Sequence, residues 1–235
     1  MLKLLHFVVL LAFCDKIFGL PNDIEKCRIN DERCLIKSSN KVLKKYYGGI
    51  TEIDLQSLDP FMADKLRVLH DYGVIQANGT LWNINLFGLK SATIERIFGF
   101  DKNLLEIHFK VPKIHFKGLY KAQASVFGFH SEGEGIFTLN FYDFSAKLII
   151  KLQPYTRNGK TYFKTVGSDM SSTVRTGDVD ATSLSRPLAW LINQGFDVVL
   201  RSSIKSYVGD VWTQHYEKKV NNVLNKVPIE ELFIV

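Results

Sequence analysis

Apolar and polar residues alternate with a period of two over much of residues 79–166. Such alternation is typical of strands that cover a core with one face and meet solvent with the other. It is clear at residues 82–86, where Trp82, Ile84 and Leu86 alternate with two asparagines, and again at 105–111 and 137–141. These segments predict an antiparallel sheet with one apolar face.

The alternation changes phase twice along these strands. Apolar positions that end at Val111 resume at Ile114, and a second change separates Phe141 from Ala146. Pro112 lies at the first change and cannot donate a ladder hydrogen bond, so we expect a bulge or sharp bend there. Two phase changes in long strands predict a highly curved sheet.

Helical spacing marks both ends of the chain. Residues 35–47 form an amphipathic pattern that predicts a short helix ending at two glycines. Separately, Asn158-Gly159 lies between two strand patterns and predicts a tight hairpin. After Asp180, apolar residues recur at helical spacing up to Val227, and the first half of this stretch is apolar all round, which indicates burial. We therefore predict an α+β fold in which a long C-terminal helix is wrapped by a highly curved antiparallel sheet, as an elongated shell.

The N-terminus has the pattern of an export signal. Lys3 precedes an apolar run from Leu4 to Cys14, which is shorter than the about 20 residues that a membrane helix needs. We expect a signal peptide over residues 1–19, a single domain over 20–235, a secreted, extracellular protein, and no stable membrane insertion. Export agrees with a disulfide between Cys27 and Cys34 and with a glycosylation sequon at Asn78.

Charge and motifs argue against several function classes. The formal net charge is +6, but the basic residues are scattered, which argues against a nucleic-acid partner. His-Glu-x-x-His and Gly-x-Ser-x-Gly are both absent from the sequence, and His108, His115, Glu132 and Glu134 fit ordinary surface positions better than a catalytic pair. We predict no enzymatic activity, no catalytic residues, no metal site and no cofactor.

The order of several short segments resembles the insect haemolymph juvenile-hormone-binding protein and takeout family, within the tubular lipid-binding superfamily. The similar segments are the pair Cys27 and Cys34, LQSLDPFMADKL (55–66), GTLWNINLFGLKSATIERI (79–97), the strand pair around Pro112, Gly118, Tyr120, Gly133 and Gly135, and VPIEELF (227–233). The resemblance implies a helix wrapped by a curled sheet, with an internal hydrophobic tunnel. The segment before Pro187 departs from the family pattern, so the implied ligand is hydrophobic rather than juvenile hormone in particular.

Pattern alone leaves open a fully packed core or an apolar channel between sheet and helix. With the resemblance, we predict a secreted carrier for a hydrophobic small molecule, such as a terpenoid hormone, a fatty acid or a similar lipid. A receptor or acceptor protein is a further candidate partner. The alternative is a module of the same superfamily that interacts with lipid or membrane at its surface. The predicted tunnel lining is Trp82, Ile84, Leu86, Phe109, Phe116, Tyr120, Val126, Phe137, Phe141, Trp190, Phe196, Tyr207 and Trp212.

Overall fold

A computed structural model describes residues 20–72, 75–126, 128–183 and 217–234. Its elements are β1 (Cys27–Arg28), α1 (Glu32–Lys45), β2 (Phe61–Tyr72), β3 (Ile75–Phe87), β4 (Thr93–Phe98), β5 (Leu104–Val126), β6 (Phe129–Arg157), β7 (Lys160–Thr173), β8 (Thr176–Ala181), α2 (helical residues 217–224), α3 (Ile229–Leu232) and β9 (Phe233–Ile234). The predicted long helix after Asp180 falls largely on residues 184–216, which lie outside the described ranges.

Two long strands, β5 and β6, form the centre of a seven-stranded antiparallel sheet. Five of the strands follow the order β2-β3-β5-β6-β7, while β4 pairs with β5 and β8 pairs with β6 off this path. Each long strand changes its outer neighbour along its length. β5 pairs first with β4 and then with β3, and β6 pairs first with β8 and then with β7. The sheet therefore has two halves that share one central hairpin.

The two predicted phase changes lie directly opposite each other in this central hairpin. Val111 pairs with Phe144 and Lys113 with Tyr142, while Pro112 and Asp143 between them form no pair. Both strands switch faces there: Val111 and Ile114 are buried, with two exposed residues between them. The pairing register between β5 and β6 is the same on both sides of this point, so neither strand has an extra residue and the predicted bulge is absent. Instead, one residue in each strand, at the same level, leaves the regular pairing.

A second matched irregularity changes the predicted alternation of β3. Ala63 pairs with Ile84 and Lys65 with Trp82, and Asn83 between them has a positive φ of 51°. Directly paired residues of antiparallel strands share a face. The predicted common face of Trp82, Ile84 and Leu86 is therefore wrong at Trp82, because Leu81 packs against the core instead.

The helix and hairpin predicted near residues 35–47 and 158–159 are confirmed. Asp31 caps α1 by accepting the Cys34 N–H at 3.0 Å, and Asn158 and Gly159 both have positive φ, as a two-residue I′ turn requires. Asn78-Gly79 has the composition of a turn. Asn78 nevertheless lies within β3, with its side chain exposed.

The two ends of the described chain meet on the sheet. The predicted disulfide joins Cys27 and Cys34, and β1 pairs in parallel with β9 through Cys27 and Phe233. Cys27 and Phe233 are both buried in the main hydrophobic core. A ring of this size stabilises the fold by about 2–3 kcal/mol in the loop-entropy model. The disulfide therefore fixes the N-terminal arm beside the C-terminus.

Candidate functional site

The inner face of the sheet carries most of the predicted lining residues that the structure describes. We call the surface formed by the buried apolar side chains of β2, β3, β5 and β6 the inner face. Predicted residues on it are Ile84, Leu86, Phe109, Tyr120, Phe137 and Phe141, each with no more than 9% of its surface exposed. Phe116 is partly buried and packs edge-on against Phe141, with ring centroids 5.4 Å apart. The sheet thus brings residues from three distant sequence segments onto one continuous apolar surface.

Several inner-face residues were absent from the predicted lining. They are Val111, Ile114, Phe144, Ala146, Leu148 and Ile150, all buried. Most of them lie in the alternating pattern of the sequence, which therefore carried the signal. The inner face consequently extends through both halves of the sheet, whereas Phe109 was the one described lining residue predicted in the half that pairs with β4 and β7.

The other predicted lining residues divide into two groups. Trp82 pairs with Lys65 of β2, which is exposed, and paired residues share a face, so Trp82 lies on the outer face. The side chain of Val126, and all of Trp190, Phe196, Tyr207 and Trp212, lie outside the described residues. The binding roles of these residues, and of those on the inner face, stay predictions.

Tyr120 provides a polar group on the inner face. Its hydroxyl donates to the backbone carbonyl of Thr182 at 2.5 Å, and desolvation by burial raises the pKa of its phenol. A side chain at Gly133 would meet this hydroxyl at 2.8 Å, and one at Gly135 would meet Thr182 Oγ1 at 2.1 Å. Glycines on β6 therefore make the space that lets the tyrosine ring lie across the sheet.

One edge of the inner face meets helix α2. Glu217 accepts a hydrogen bond from the Ser168 hydroxyl at 2.9 Å, and Asn221 accepts the Thr165 N–H at 2.8 Å, which attaches α2 to β7. From the same helix, Lys219 donates to the Met62 carbonyl of β2 at 3.1 Å. Since β2 and β7 are the first and last strands of the sheet order, α2 contacts both edges of the curved sheet.

The Lys219 side chain lies against the inner face at this edge. Its Nζ is 3.8 Å from the centroid of the Phe61 ring, and Phe61 is only 5% exposed. Desolvation lowers the pKa of the Lys219 ammonium, and the charge of Asp64 partly opposes that change. The environment is apolar on the side of Phe61 and cationic on the side of Lys219. The sequence did not predict it, because β2 and α2 are far apart in the chain.

The histidines singled out in the sequence lie on the outer face. His108 Nε2 is 2.6 Å from Glu106 Oε1, and Lys147 lies 2.8 Å from the same oxygen. These contacts, first with Lys147 and then with His108, lower the pKa of Glu106. His115 Nδ1 is 2.9 Å from the Asn140 side-chain oxygen. Both histidines therefore interact with polar side chains of the sheet surface rather than with each other.

The acidic pair of the β5–β6 hairpin is exposed. Glu134 forms a surface ion pair with Lys121 at 3.1 Å, and Glu132 accepts a hydrogen bond from Gln123.

In the part of the chain that the structure describes, no group of three or more His, Cys, Asp and Glu side chains is arranged to hold a metal ion. Within the same ranges, no helix has the length and apolarity needed to cross a membrane.

Comparison with known proteins agrees with this architecture. The chain is 20% identical over 231 residues to the circadian clock-controlled protein daywake of Drosophila melanogaster, and 17% identical over 235 residues to that of Drosophila yakuba. Each alignment covers 92% of this chain and 88% of the relative. The crystal structure of Epiphyas postvittana Takeout 1 superposes with a TM-score of 0.78 at 21% identity, over 90% of this chain and all of that one.

The superposition shows a takeout-like fold, and it confirms the prediction of a highly curved antiparallel sheet. A family model described as haemolymph juvenile hormone binding protein matches residues 4–234, nearly the whole sequence. The chain belongs to the haemolymph juvenile hormone binding protein family.

Proposed function

We propose that this protein is a secreted carrier that binds a hydrophobic small molecule along the inner face of its sheet, without chemical change of the ligand. The observation that carries the proposal is the continuous apolar inner face, which runs through both halves of the central β5–β6 hairpin. Family membership supports it, since the family is described by hormone binding. Burial of apolar ligand surface, at about 25 cal/mol per Å², supplies the driving force.

Native mass spectrometry and probe binding test the carrier proposal. We expect organic extraction of the purified protein to release a lipophilic compound. We also expect the delipidated protein to bind the neutral fluorescent probe N-phenyl-1-naphthylamine. At a ligand concentration about 100-fold above Kd, bound ligand raises the free energy of unfolding by about 2.7 kcal/mol. Absence of extracted lipid together with absence of probe binding would rule the proposal out.

A matched pair of variants on β6 and β5 locates the binding surface. Phe116 lies on the inner face, whereas Ile136 lies on the outer face and is 45% exposed. We expect Phe116→Leu to weaken probe binding and Ile136→Ala to leave it unchanged. The reverse result would place the ligand on the outer face.

The outer face supports a second candidate, a surface that docks on membranes. Met62 and Ile136 are exposed there, and Lys65, Lys117 and Lys121 are also exposed. The same face carries exposed acidic residues on β6 and β8, namely Glu132, Glu134 and Asp180. These repel anionic lipid and favour the carrier. Co-sedimentation with anionic vesicles that is lost in Ile136→Lys would favour membrane docking instead.

Export is part of the proposal and rests on the pattern of residues 1–19 and on the Cys27–Cys34 disulfide. We expect a single domain over residues 20–235, found in the medium of insect cells, with an N-terminus near residue 20. Asn78 is exposed on β3, so a glycan there can project into solvent. The mass decrease on treatment with a glycosidase, compared with Asn78→Gln, measures its occupancy.

A further inference from the structure

Lys219 is the one α2 lysine that reaches across to the β2 edge in the described part of the chain. Glu217 and Asn221, two positions before and after it, bond to β7. The chain between these two anchors is helical, so the position of Lys219 is fixed by contacts on either side. Its side chain reaches the edge of the inner face at Phe61.

The ammonium of Lys219 has unused hydrogen-bonding capacity. An ammonium carries three donors, and within the described ranges Lys219 makes one hydrogen bond, to the Met62 carbonyl. No carboxylate of those ranges lies within 4 Å of it. Lys226, a few residues later, is paired with Asp54 at 2.6 Å. Within the described residues, Lys219 thus differs from Lys226 in having no carboxylate partner while its ammonium lies over a buried aromatic ring.

The apolar side of this environment is the inner face itself. Phe61 pairs with Leu86 and Ala63 with Ile84, and all four side chains are buried. Lys219 is partly buried beside this surface, and desolvation lowers the pKa of its ammonium while the charge of Asp64 partly opposes that change. Partial loss of water around a cation makes an added anionic partner favourable. A ligand whose acyl chain lies along the inner face and whose acidic end reaches this edge would supply that anion.

We infer that Lys219 binds the carboxylate of an apolar ligand of the fatty-acid class and so gives the carrier a preference for acids over the corresponding alcohols and esters. This inference rests on the proposed carrier function. The carboxylate accepts charge-assisted hydrogen bonds from the N–H donors of Lys219 that no described residue uses, and the alkyl chain continues past Phe61 onto the inner face.

Displacement of N-phenyl-1-naphthylamine by decanoate, methyl decanoate and decan-1-ol at pH 7.5 tests the inference, in the full mature chain after delipidation. Lys219→Met removes the charge and keeps an unbranched side chain over Phe61. Lys219→Arg keeps the charge. Lys218→Met is the matched control, because Lys218 is exposed on the same helix. Circular dichroism and thermal unfolding verify that each variant is folded.

We expect decanoate to displace the probe from the wild type at about tenfold lower concentration than from Lys219→Met, as befits a hydrogen bond to a charged group. Decan-1-ol and methyl decanoate should displace it equally from both. Lys219→Arg and Lys218→Met should behave like the wild type. Equal decanoate affinity in wild type and Lys219→Met, or an equal loss for all three competitors, would overturn the inference while leaving the carrier proposal intact. Failure of the wild type to bind the probe and decanoate would overturn both.

Discussion

Gly118 is a residue whose missing side chain makes room for an aromatic ring of the inner face. A Cβ there would approach the Phe137 ring to 2.8 Å and the Trp82 carbonyl to 3.0 Å. Phe137 is the residue opposite Gly118 in the β5–β6 pair, so the ring lies over the glycine. We expect Gly118→Ala to lower the free energy of unfolding by about 1–3 kcal/mol, measured by urea denaturation.

Gly48→Ala is the matched control for this prediction. A Cβ at Gly48 would have no neighbour within 4 Å, and its φ is not in the left-handed region. The control should therefore leave stability unchanged or raise it slightly. A Gly118→Ala protein as stable as Gly48→Ala would show that the ring can move aside.

Asp23 anchors the start of the described chain to the end of α1. It is paired with Lys45 at 2.6 Å and accepts a hydrogen bond from the Tyr46 hydroxyl, and these contacts lower the pKa of its carboxyl to about 2. Because this lies below the ordinary value of 3.8, the stabilising contribution is present above about pH 4 and is lost as pH falls through about 2.

NMR titration of the Asp23 carboxyl measures this prediction directly. We expect Lys45→Met to raise the pKa of Asp23 toward its ordinary value, since Lys45 makes the largest contribution. Lys37→Met is a suitable control, because Lys37 pairs with Glu25 instead. An unchanged pKa of Asp23 in Lys45→Met would contradict the prediction.

At the scale of elements, Asn40 bonds α1 to the backbone of strand β4, in addition to the surface ion pair of Glu32 with Arg96. The Asn40 amide donates to the Ile94 carbonyl at 2.9 Å, and its oxygen accepts the Ile94 N–H at 2.8 Å. One side chain thereby satisfies both polar groups of a residue on the edge strand β4. We expect Asn40→Ala to destabilise the protein by about 1–3 kcal/mol and to speed hydrogen exchange at the Ile94 amide.

Ser39→Ala tests whether this effect is specific to the hydrogen bonds. Ser39 neighbours Asn40 on α1, and its side chain makes no hydrogen bond within the described residues. The control should keep the exchange rate of the Ile94 amide at the wild-type value. Comparable exchange in both variants would mean that packing, rather than the asparagine, attaches the helix.

Local elements were predictable from sequence where neighbours in the chain decide them. The α1 helix and the Asn158-Gly159 hairpin depend on residues a few positions apart, and both are confirmed. The face of Trp82 was not predictable, because it depends on the left-handed backbone of Asn83 beside a matched irregularity in β2. Asn78-Gly79 has the composition of a turn, yet Gly79 lies within β3, where a Cβ would meet Ala122 at 2.7 Å.

The same distinction applies to the candidate site: residues decided by local pattern were predictable, and contacts between distant segments were not. Alternation identified the inner-face residues of β3, β5 and β6, since burial of one face of a sheet has a period of two. The contact of Lys219 with Phe61 had no local signal, because it joins residues more than 150 positions apart. Contacts between distant segments are set by sheet curvature, which the pattern indicated only as a phase change.

At the scale of the whole molecule, the two termini of the described chain share one part of the core. Phe233 is 5% exposed, lies edge-on to Phe100 with centroids 4.8 Å apart, and pairs with Cys27. We expect Phe233→Ala to cost about 3–5 kcal/mol in the free energy of unfolding. Such a loss at Phe233 would show that strand β9 is part of the cooperative fold.

Ile234→Ala provides the comparison, because Ile234 is adjacent and 53% exposed. Its effect should stay within about 0.5 kcal/mol. Thermal and urea unfolding of both variants measure the difference. A mild effect of Phe233→Ala, similar to that of Ile234→Ala, would show instead that the β1–β9 pair frays without loss of the core.

Pro112 and Asp143 lie opposite each other outside the regular β5–β6 pairing, and this position determines which changes in strand length the hairpin tolerates. Removal of either residue alone would leave one strand with an extra position and would offset every pair on one side of it, from Lys113 and Tyr142 onward. Removal of both would join two regular strands and keep every inward side chain inward. Single-residue insertions and deletions in this hairpin should therefore be tolerated in homologous chains only as coordinated pairs, one in each strand, at the same level of the sheet.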